Sequence, residues 1–283
     1  MLVSPASFEM HVKTLSEYFD FVHLDDWVRS ASEGAALPRR ACAITFDDGW
    51  RDNFEFAYPV LRRYGVPATI FLVSALVGTH KEFWPNRLAR LLSSSPLDVG
   101  IGGPLAETIR PALDVAKDRG KWDRESLDRA IVLAKRLGEA EIDVQLNAAG
   151  PEPLGHTRTL LDHAEIREMA DSGLVRFGSH TRTHCRFRGT VPDNVLEDEI
   201  VRSGDEIAEI IGRPVNLFCY PNGDITDAAL GVVRKRYAGA VTTRPGWYLP
   251  AEDRCLISRI GVHDDVSNTR SAFLSRISGI RVF

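Results

Sequence analysis

Two carboxylates stand side by side in the stretch AITFDDGWRDN, residues 43–53: Asp47 and Asp48, followed by Gly49. They close the strand-like run Ala43-Ile44-Thr45-Phe46. Asp-Gly alone is turn chemistry, since glycine adopts positive φ and aspartate hydrogen-bonds its own backbone. Two adjacent acids ask for more, because like charges at short range repel unless a cation lies between them. The stretch FGSHTRTHCRF supplies a match, with His180 and His184 four residues apart just past the strand-like LVRF. Two histidines in a polar surface loop would be ordinary. Two imidazoles and a carboxylate on one edge of a fold are a ligand set for a divalent metal, with positions left open for water and substrate. One acid would bind the metal and the other would take a proton from water that the metal acidifies. That chemistry is metal-assisted hydrolysis.

Such a site needs strands that end at one edge. The chain alternates short apolar strands with amphipathic helices. ACAITF, ATIFLV, LVRFGS, VNLFCY, AVTT and ISRIGV read as strands, with FVHL as a short extended piece ahead of them. FEMHVKTLSEYF, NFEFAYPVLRRYG, DHAEIREMADSG, PDNVLEDEIVRSGDEIAEIIG and TDAALGVVRKRYAG read as helices. Asp162 and Glu165 form a capping box, and Gly173 ends that helix. Repeated β-then-α units imply parallel strands with helices outside, and near-continuous apolar strands fit a sheet buried on both faces. An α/β barrel is the expected closure, and a doubly wound open sheet is the alternative. In either, sites lie at the carboxyl ends of strands, where Asp47, Asp48, His180 and His184 stand. Residues from about 80 to 158 break the rhythm. KEFWPNRLARLL, PALDVAKDRGKW and DRESLDRAIVLAKRLG read as helices joined by turns. The expectation is one domain over residues 1–283 with a helical insertion, which could equally be a lid.

Composition narrows the function classes. Of 283 residues, 44% are hydrophobic and 26% charged, an ordinary globular balance. A net charge of −4 leaves no nucleic-acid footprint. No apolar run has transmembrane length. MLVSPASFEMHVKTL lacks a basic segment and a continuous apolar segment, so a cytoplasmic location is expected. Cys42, Cys185, Cys219 and Cys255 have neither zinc-knuckle nor framework spacing and read as reduced thiols. No serine nucleophile elbow or phosphate loop is present. Trp50, Phe83, Trp84 and Trp247 are candidates for stacking on sugar rings, against a packing role.

TFDDG, SHTRTH and YPNG resemble the first three motifs of the NodB-homology polysaccharide deacetylases, carbohydrate esterase family 4. The resemblance runs from about Val3 to the last strand, apart from the insertion. PRRACAITFDDGWRDNFEFAYPVLRRYGVPATIFLV is similar to the branch linked to bacterial exopolysaccharide. The resemblance implies a distorted (β/α)7 barrel and metal-dependent removal of N-acetyl groups from amino sugars. It implies Asp48, His180 and His184 as ligands of a divalent metal, zinc first, with cobalt or nickel as alternatives. It implies Asp47 as general base, and the Tyr220 backbone N–H in CYPNG as an oxyanion donor. By itself Tyr-Pro-Asn-Gly is an ordinary turn. The family's third motif usually starts with an arginine that orients the base, and Cys219 stands there instead. A thiol cannot make that charge-assisted contact. Arg259, in ISRIGVHDD, is the candidate replacement. His263 and Asp264 fall where the family's last motif supplies a general acid, so His263 is either that acid or a surface histidine. An initial strand ending in a histidine, often present in the family, is not included here.

Three functions stay open at this stage. The first is an amino-sugar deacetylase. The second is another C–N hydrolase on the same scaffold, a sugar deformylase or an amidase. The third is a catalytically weak carbohydrate-binding protein, motivated by Cys219. Oligomeric state is not readable.

Overall fold

In the computed structural model, which describes residues 2–94, 97, 100–150 and 158–279, the strands are short and all parallel. Two of them, β1 (Asp20–Phe21) and β2 (Ala41–Cys42), pair only with each other. The other six form one sheet in chain order: β3 (Ile44–Phe46), β4 (Ala68–Leu72), β5 (Val175–Ser179), β6 (Leu217–Cys219), β7 (Gly239–Pro245) and β8 (Ile257–Arg259). The sheet curls but does not close, because no backbone ladder joins β8 to β3 among the described residues. The barrel expected from the sequence is therefore a distorted, open one. The stretch ACAITF, expected as a single strand, breaks at Ala43 into β2 and β3, which belong to different sheets. Its two ends find different partners, β1 and β4.

The contiguous chain forms two units, Met1–Thr79 with Arg158–Phe283, and His80–Thr157. In the first, strand residues divide between two cores with the period of two that a pleated strand imposes. Ile44, Ile70, Leu72, Val175, Phe177, Phe218 and Ala240 pack with helix residues such as Val12, Leu61, Ile166 and Ile207 on the outer face. Their neighbours Phe71, Leu217, Cys219, Val241 and Ile257 pack on the inner face, with Ala43 partly buried against them. Leu24 and Val28, from the helix Leu24–Ser32, cover that inner face. The inner parity then continues up each strand: Ala43 to Thr45 and Asp47, Gly178 to His180, Leu217 to Cys219, Ile257 to Arg259. The polar end of the inner face is the candidate site.

The second unit is helical among its described residues, and it has its own core around Trp84, Leu88, Leu105, Ile109 and Ile142. Between β4 and β5 the sequence makes this excursion, yet the two strands pair over five residues of each. The helix expected to begin at Pro111 instead starts at Gly103, with Pro111 inside it. Pro104 suits the first turn, and burial of Leu105, Ile109, Ala112 and Ala116 holds the helix through the second proline. The helix Glu139–Ala149 was not among the sequence expectations. Residues 151–157, which close the expected insertion, lie outside the described residues. No helix among the described residues is long and apolar enough to cross a membrane.

Gly178 shows how tightly the inner face is filled. A Cβ there would sit 2.5 Å from Cδ1 and Cε1 of Phe71 and 3.0 Å from the Leu217 carbonyl oxygen. Gly178→Ala is expected to destabilise the fold by about 1–3 kcal/mol, the usual cost of overpacking a core. Denaturant unfolding checks it, and an unchanged midpoint would show that Phe71 can move aside at no cost.

Candidate metal centre

Three strand ends deliver the site: the loop after β3 carries Asp47 and Asp48, that after β5 carries His180 and His184, and that after β6 carries Tyr220–Gly223. Strand parity turns Asp47 inward and would turn Asp48 away. Asp48 takes a left-handed backbone, φ 71°, which breaks the parity and brings its carboxylate beside the histidines. Asp48 Oδ1 lies 3.3 Å from His180 Nε2 and 3.6 Å from His184 Nε2. Ligand atoms ~2.0–2.1 Å from a tetrahedral zinc stand ~3.3–3.4 Å apart, so the spacing fits a shared divalent ion.

The surroundings of the three ligands fit a metal as well. His180 Nδ1 is 2.8 Å from the Cys219 carbonyl oxygen, to which it donates, and this turns Nε2 toward Asp48, the nitrogen that would ligate an ion in place of its proton. Trp50 Nε1 donates to Asp48 Oδ2 at 3.0 Å, leaving Oδ1 toward the histidines. Burial alone would push the His180 imidazole down, but Cys219, Asp48 and Asp47 together hold it well above the usual histidine range. Groups that draw a proton onto a buried imidazole form a place that favours a cation. These residues form a divalent-metal-binding site.

Asp47 is occupied differently. Arg259, from β8, donates Nη1 to Oδ1 at 2.7 Å and Nη2 to Oδ2 at 2.8 Å. The same guanidinium donates to Thr45 Oγ1 at 3.1 Å and to the Thr242 carbonyl at 2.9 Å. Burial would raise the Asp47 carboxyl; the Arg259 charge and hydrogen bonds overcome it and hold Asp47 down to about 2. Arg259 thus makes the contact that Cys219 cannot. Its Nη2 also lies 3.3 Å from Cys219 Sγ, so the small thiol leaves the guanidinium room. Asp47, His180 and Cys219 are themselves close enough to hold an ion. Arg259 already engages both Asp47 oxygens, and burial pushes the Cys219 thiol up, so the Asp48 trio is the better seat.

Strain is concentrated on these loops. Among the described residues, positive φ outside glycine occurs at Asp48, Thr181, His184 and Asn222, all on the three site loops. Each such residue costs on the order of 1–3 kcal/mol and persists only where neighbours over-determine it. On the first loop those neighbours are the returning segment 159–161. Leu161 N donates to the Gly49 carbonyl at 2.9 Å, and Arg51 N to the Thr159 carbonyl at 2.8 Å. Glu165 then ties Arg51 to Arg158.

The Tyr220 amide donates to the Val241 carbonyl at 3.3 Å, and the Tyr220 hydroxyl to the Cys255 carbonyl at 3.1 Å. His263 Nδ1 is 3.3 Å from Asp265 Oδ2 without forming a well-angled hydrogen bond. No hydrogen bond or ion pair joins His263 to Asp47, Asp48, His180 or His184 among the described residues. Trp84 packs inside the helical unit, which removes it as a sugar platform, whereas Trp247 is 55% exposed. Sequence reasoning missed Trp50 as a partner of Asp48 and Thr45 as a partner of Arg259. Their positions two residues from the acid pair were the available signal.

A family model described as polysaccharide deacetylase matches residues 34–103 and 136–238, together more than half of the chain. Over 46 residues the chain is 53% identical to YxkH, a candidate polysaccharide deacetylase of Bacillus subtilis, covering 16% of each chain. Over 77 residues it is 35% identical to the poly-β-1,6-N-acetyl-D-glucosamine N-deacetylase of Staphylococcus aureus, covering 27% of this chain and 26% of that one. These matches span 16% and 26% of the curated relatives' lengths. The solved structure of Streptococcus pyogenes deacetylase PplD in complex with acetate shares the fold, with a TM-score of 0.62 at 17% identity, covering 97% of this chain and 87% of that one.

Metal binding should separate the two acids. The purified chain is expected to hold about one divalent ion, since one trio of ligands is shared by one ion. Asp48→Ala removes a ligand and should weaken binding, with excess metal restoring occupancy. Asp47→Asn should bind metal as the wild type does. Elemental analysis and chelator competition measure both, and equal losses would show that the two acids form one ligand cluster.

Proposed function

Because the chain belongs to the polysaccharide deacetylase family, we propose that it is a metal-dependent hydrolase that removes N-acetyl groups from amino sugars of a poly- or oligosaccharide. The observation that carries this reading is the division between neighbouring acids. Asp48 faces two imidazoles, while Asp47 is held ionised beside them by Arg259. Zinc is the proposed metal, on the mixed imidazole and carboxylate donors, with cobalt and nickel as alternatives. When bound, the metal supplies Lewis-acid chemistry, acidifying a water and polarising the amide carbonyl.

In this proposal Asp47 accepts the water proton. Each Asp47 oxygen gives one lone pair to Arg259 and retains another for that proton. The water oxygen bonds to the carbonyl carbon, the C–N bond breaks, and the nitrogen leaves with a proton as an amine. The products are acetate and an amino sugar. The oxyanion role for the Tyr220 amide requires it to exchange the Val241 carbonyl for the substrate oxygen. His263 is the proposed proton donor to the leaving amine, and Trp50 and Trp247 are the proposed sugar platforms. An exopolysaccharide substrate is proposed from the likeness to the poly-β-1,6-N-acetyl-D-glucosamine N-deacetylase of S. aureus. The helical unit is read as an insertion in one deacetylase domain. A cytoplasmic location is proposed from the scattered spacing of Cys42, Cys185, Cys219 and Cys255, which is not that of a disulfide framework.

Release of acetate from N-acetylated glucosamine oligomers tests the reading. No acetate from these oligomers but formate from N-formylated sugars, or ammonia from small amides, would indicate a deformylase or amidase, and tight glycan binding without turnover a binding protein. Asp47→Asn should lower kcat by roughly 10²–10⁴, the usual worth of a general base. Arg259→Ala should move the acidic limb of the pH–rate profile upward. The sign follows from burial: without the guanidinium, the Asp47 carboxyl rises from about 2 and loses its base form at higher pH. An unmoved limb would remove Arg259 from the site. His263→Gln should lower kcat by roughly 10²–10⁴, the usual worth of a general acid, and an unchanged kcat would assign the acid elsewhere.

A further inference from the structure

The second site loop poses a problem that the metal ligands do not solve. His180 follows directly from β5, but His184 comes beside Asp48 only because the chain reverses between them. That reversal puts Thr181 at φ 64° and His184 at φ 67°, values that a β-branched residue and a histidine rarely adopt. Thr181 is fully buried and its hydroxyl has no hydrogen-bond partner, so the loop does not hold itself together through that side chain.

One side chain gathers the loop from outside. Glu199 is 6% exposed, and among the described residues the three hydrogen bonds of its carboxylate go to Arg182 and Thr183. Its Oε2 accepts the backbone N–H groups of Arg182 at 3.0 Å and Thr183 at 2.9 Å. Its Oε1 accepts the Thr183 hydroxyl at 2.6 Å. A carboxylate suits this place because it only accepts, through two oxygens, and its charge strengthens each bond. Glu199 lies in the π-helical turn Glu197–Arg202, which interrupts the helical run from Asp193 to Ile211. A π-turn carries an extra residue and re-aims the side chains around it. The same run grips the loop again, through Arg182 to Glu206 at 3.0 Å and to Asp198 at 3.3 Å.

We propose that Glu199 is a positioning residue that holds the His180–His184 loop in its metal-binding conformation. The inference rests on the metal reading of Asp48, His180 and His184. Its carboxylate reaches the two backbone amides between the ligands, and it acts through them.

Glu199→Gln keeps size but replaces one accepting oxygen with a donor. Zn²⁺ affinity, measured by chelator competition, should fall about 10–100-fold, the usual effect of losing an outer-shell partner. The visible absorption of the Co²⁺-loaded protein should change in position and intensity, since it reports ligand geometry. Glu209→Gln, an equal charge change at an exposed position on the same helical run, should alter neither. Glu199→Ala should exceed Glu199→Gln, and if it does not fold the Gln variant still carries the test. A lower unfolding midpoint with unchanged Zn²⁺ affinity and Co²⁺ spectrum would reduce Glu199 to general support and overturn the proposal. A wild-type chain that binds neither ion would overturn the metal reading and this role together. Binding by wild type with unchanged Glu199 variants would overturn this role alone.

Discussion

A guanidinium and a carboxylate make the connection that the backbone leaves out. The six-stranded sheet curls but, among the described residues, leaves β8 and β3 unpaired. Arg259 on β8 reaches Asp47 just past the end of β3 and Thr45 within it, while also donating to the Thr242 carbonyl on β7. One side chain therefore joins three strands and both edges of the open sheet. It also decides the charge state of the proposed base. Lysine could not substitute, because a point charge cannot reproduce a planar fork bonded to both carboxylate oxygens. Seam and chemistry depend on the same contact.

The contact explains the thiol at position 219. Cys219 lies on the inner face beside Arg259, at the place where the resemblance implies an arginine. Two guanidiniums there would repel and compete for one carboxylate. With a buried thiol on β6, the arginine arrives from β8 and satisfies the same carboxylate from the other edge. The carbonyl of Cys219 has a separate task, orienting His180.

Around this fixed centre the ligand-bearing loops are strained and held from outside. Asp48 is turned by a left-handed residue that the segment 159–161 secures, and the histidine loop is secured by the helical run 193–211. Strain of this kind is sustainable only because the strands below are filled, with Phe71 occupying the space that Gly178 leaves open. A rigid inner face and over-determined loops place ligand atoms before an ion arrives, which is the general requirement for a preorganised site.

The sequence by itself determined the repeating β-then-α order, the placing of the acid pair and the two histidines just past strands, and the residue types of the metal trio. Those features are local: apolar runs, the capping box of Asp162 and Glu165, and acids or histidines a few residues apart. It also contained Arg259 as a candidate partner for Asp47, through a resemblance and not a spacing. The division of ACAITF into two sheets, the start of a helix ahead of Pro111, and the roles of Trp50 and Thr45 were decided by packing. Glu199 is the clearest case. It lies 15 residues beyond His184 in what reads as one amphipathic helix, and no periodicity marks it. Only the π-turn and the docking of that helix against the loop bring its carboxylate to two backbone amides. Hydrogen bonds between segments distant along the chain depend on where elements pack, and that information does not reside in any local stretch of residues.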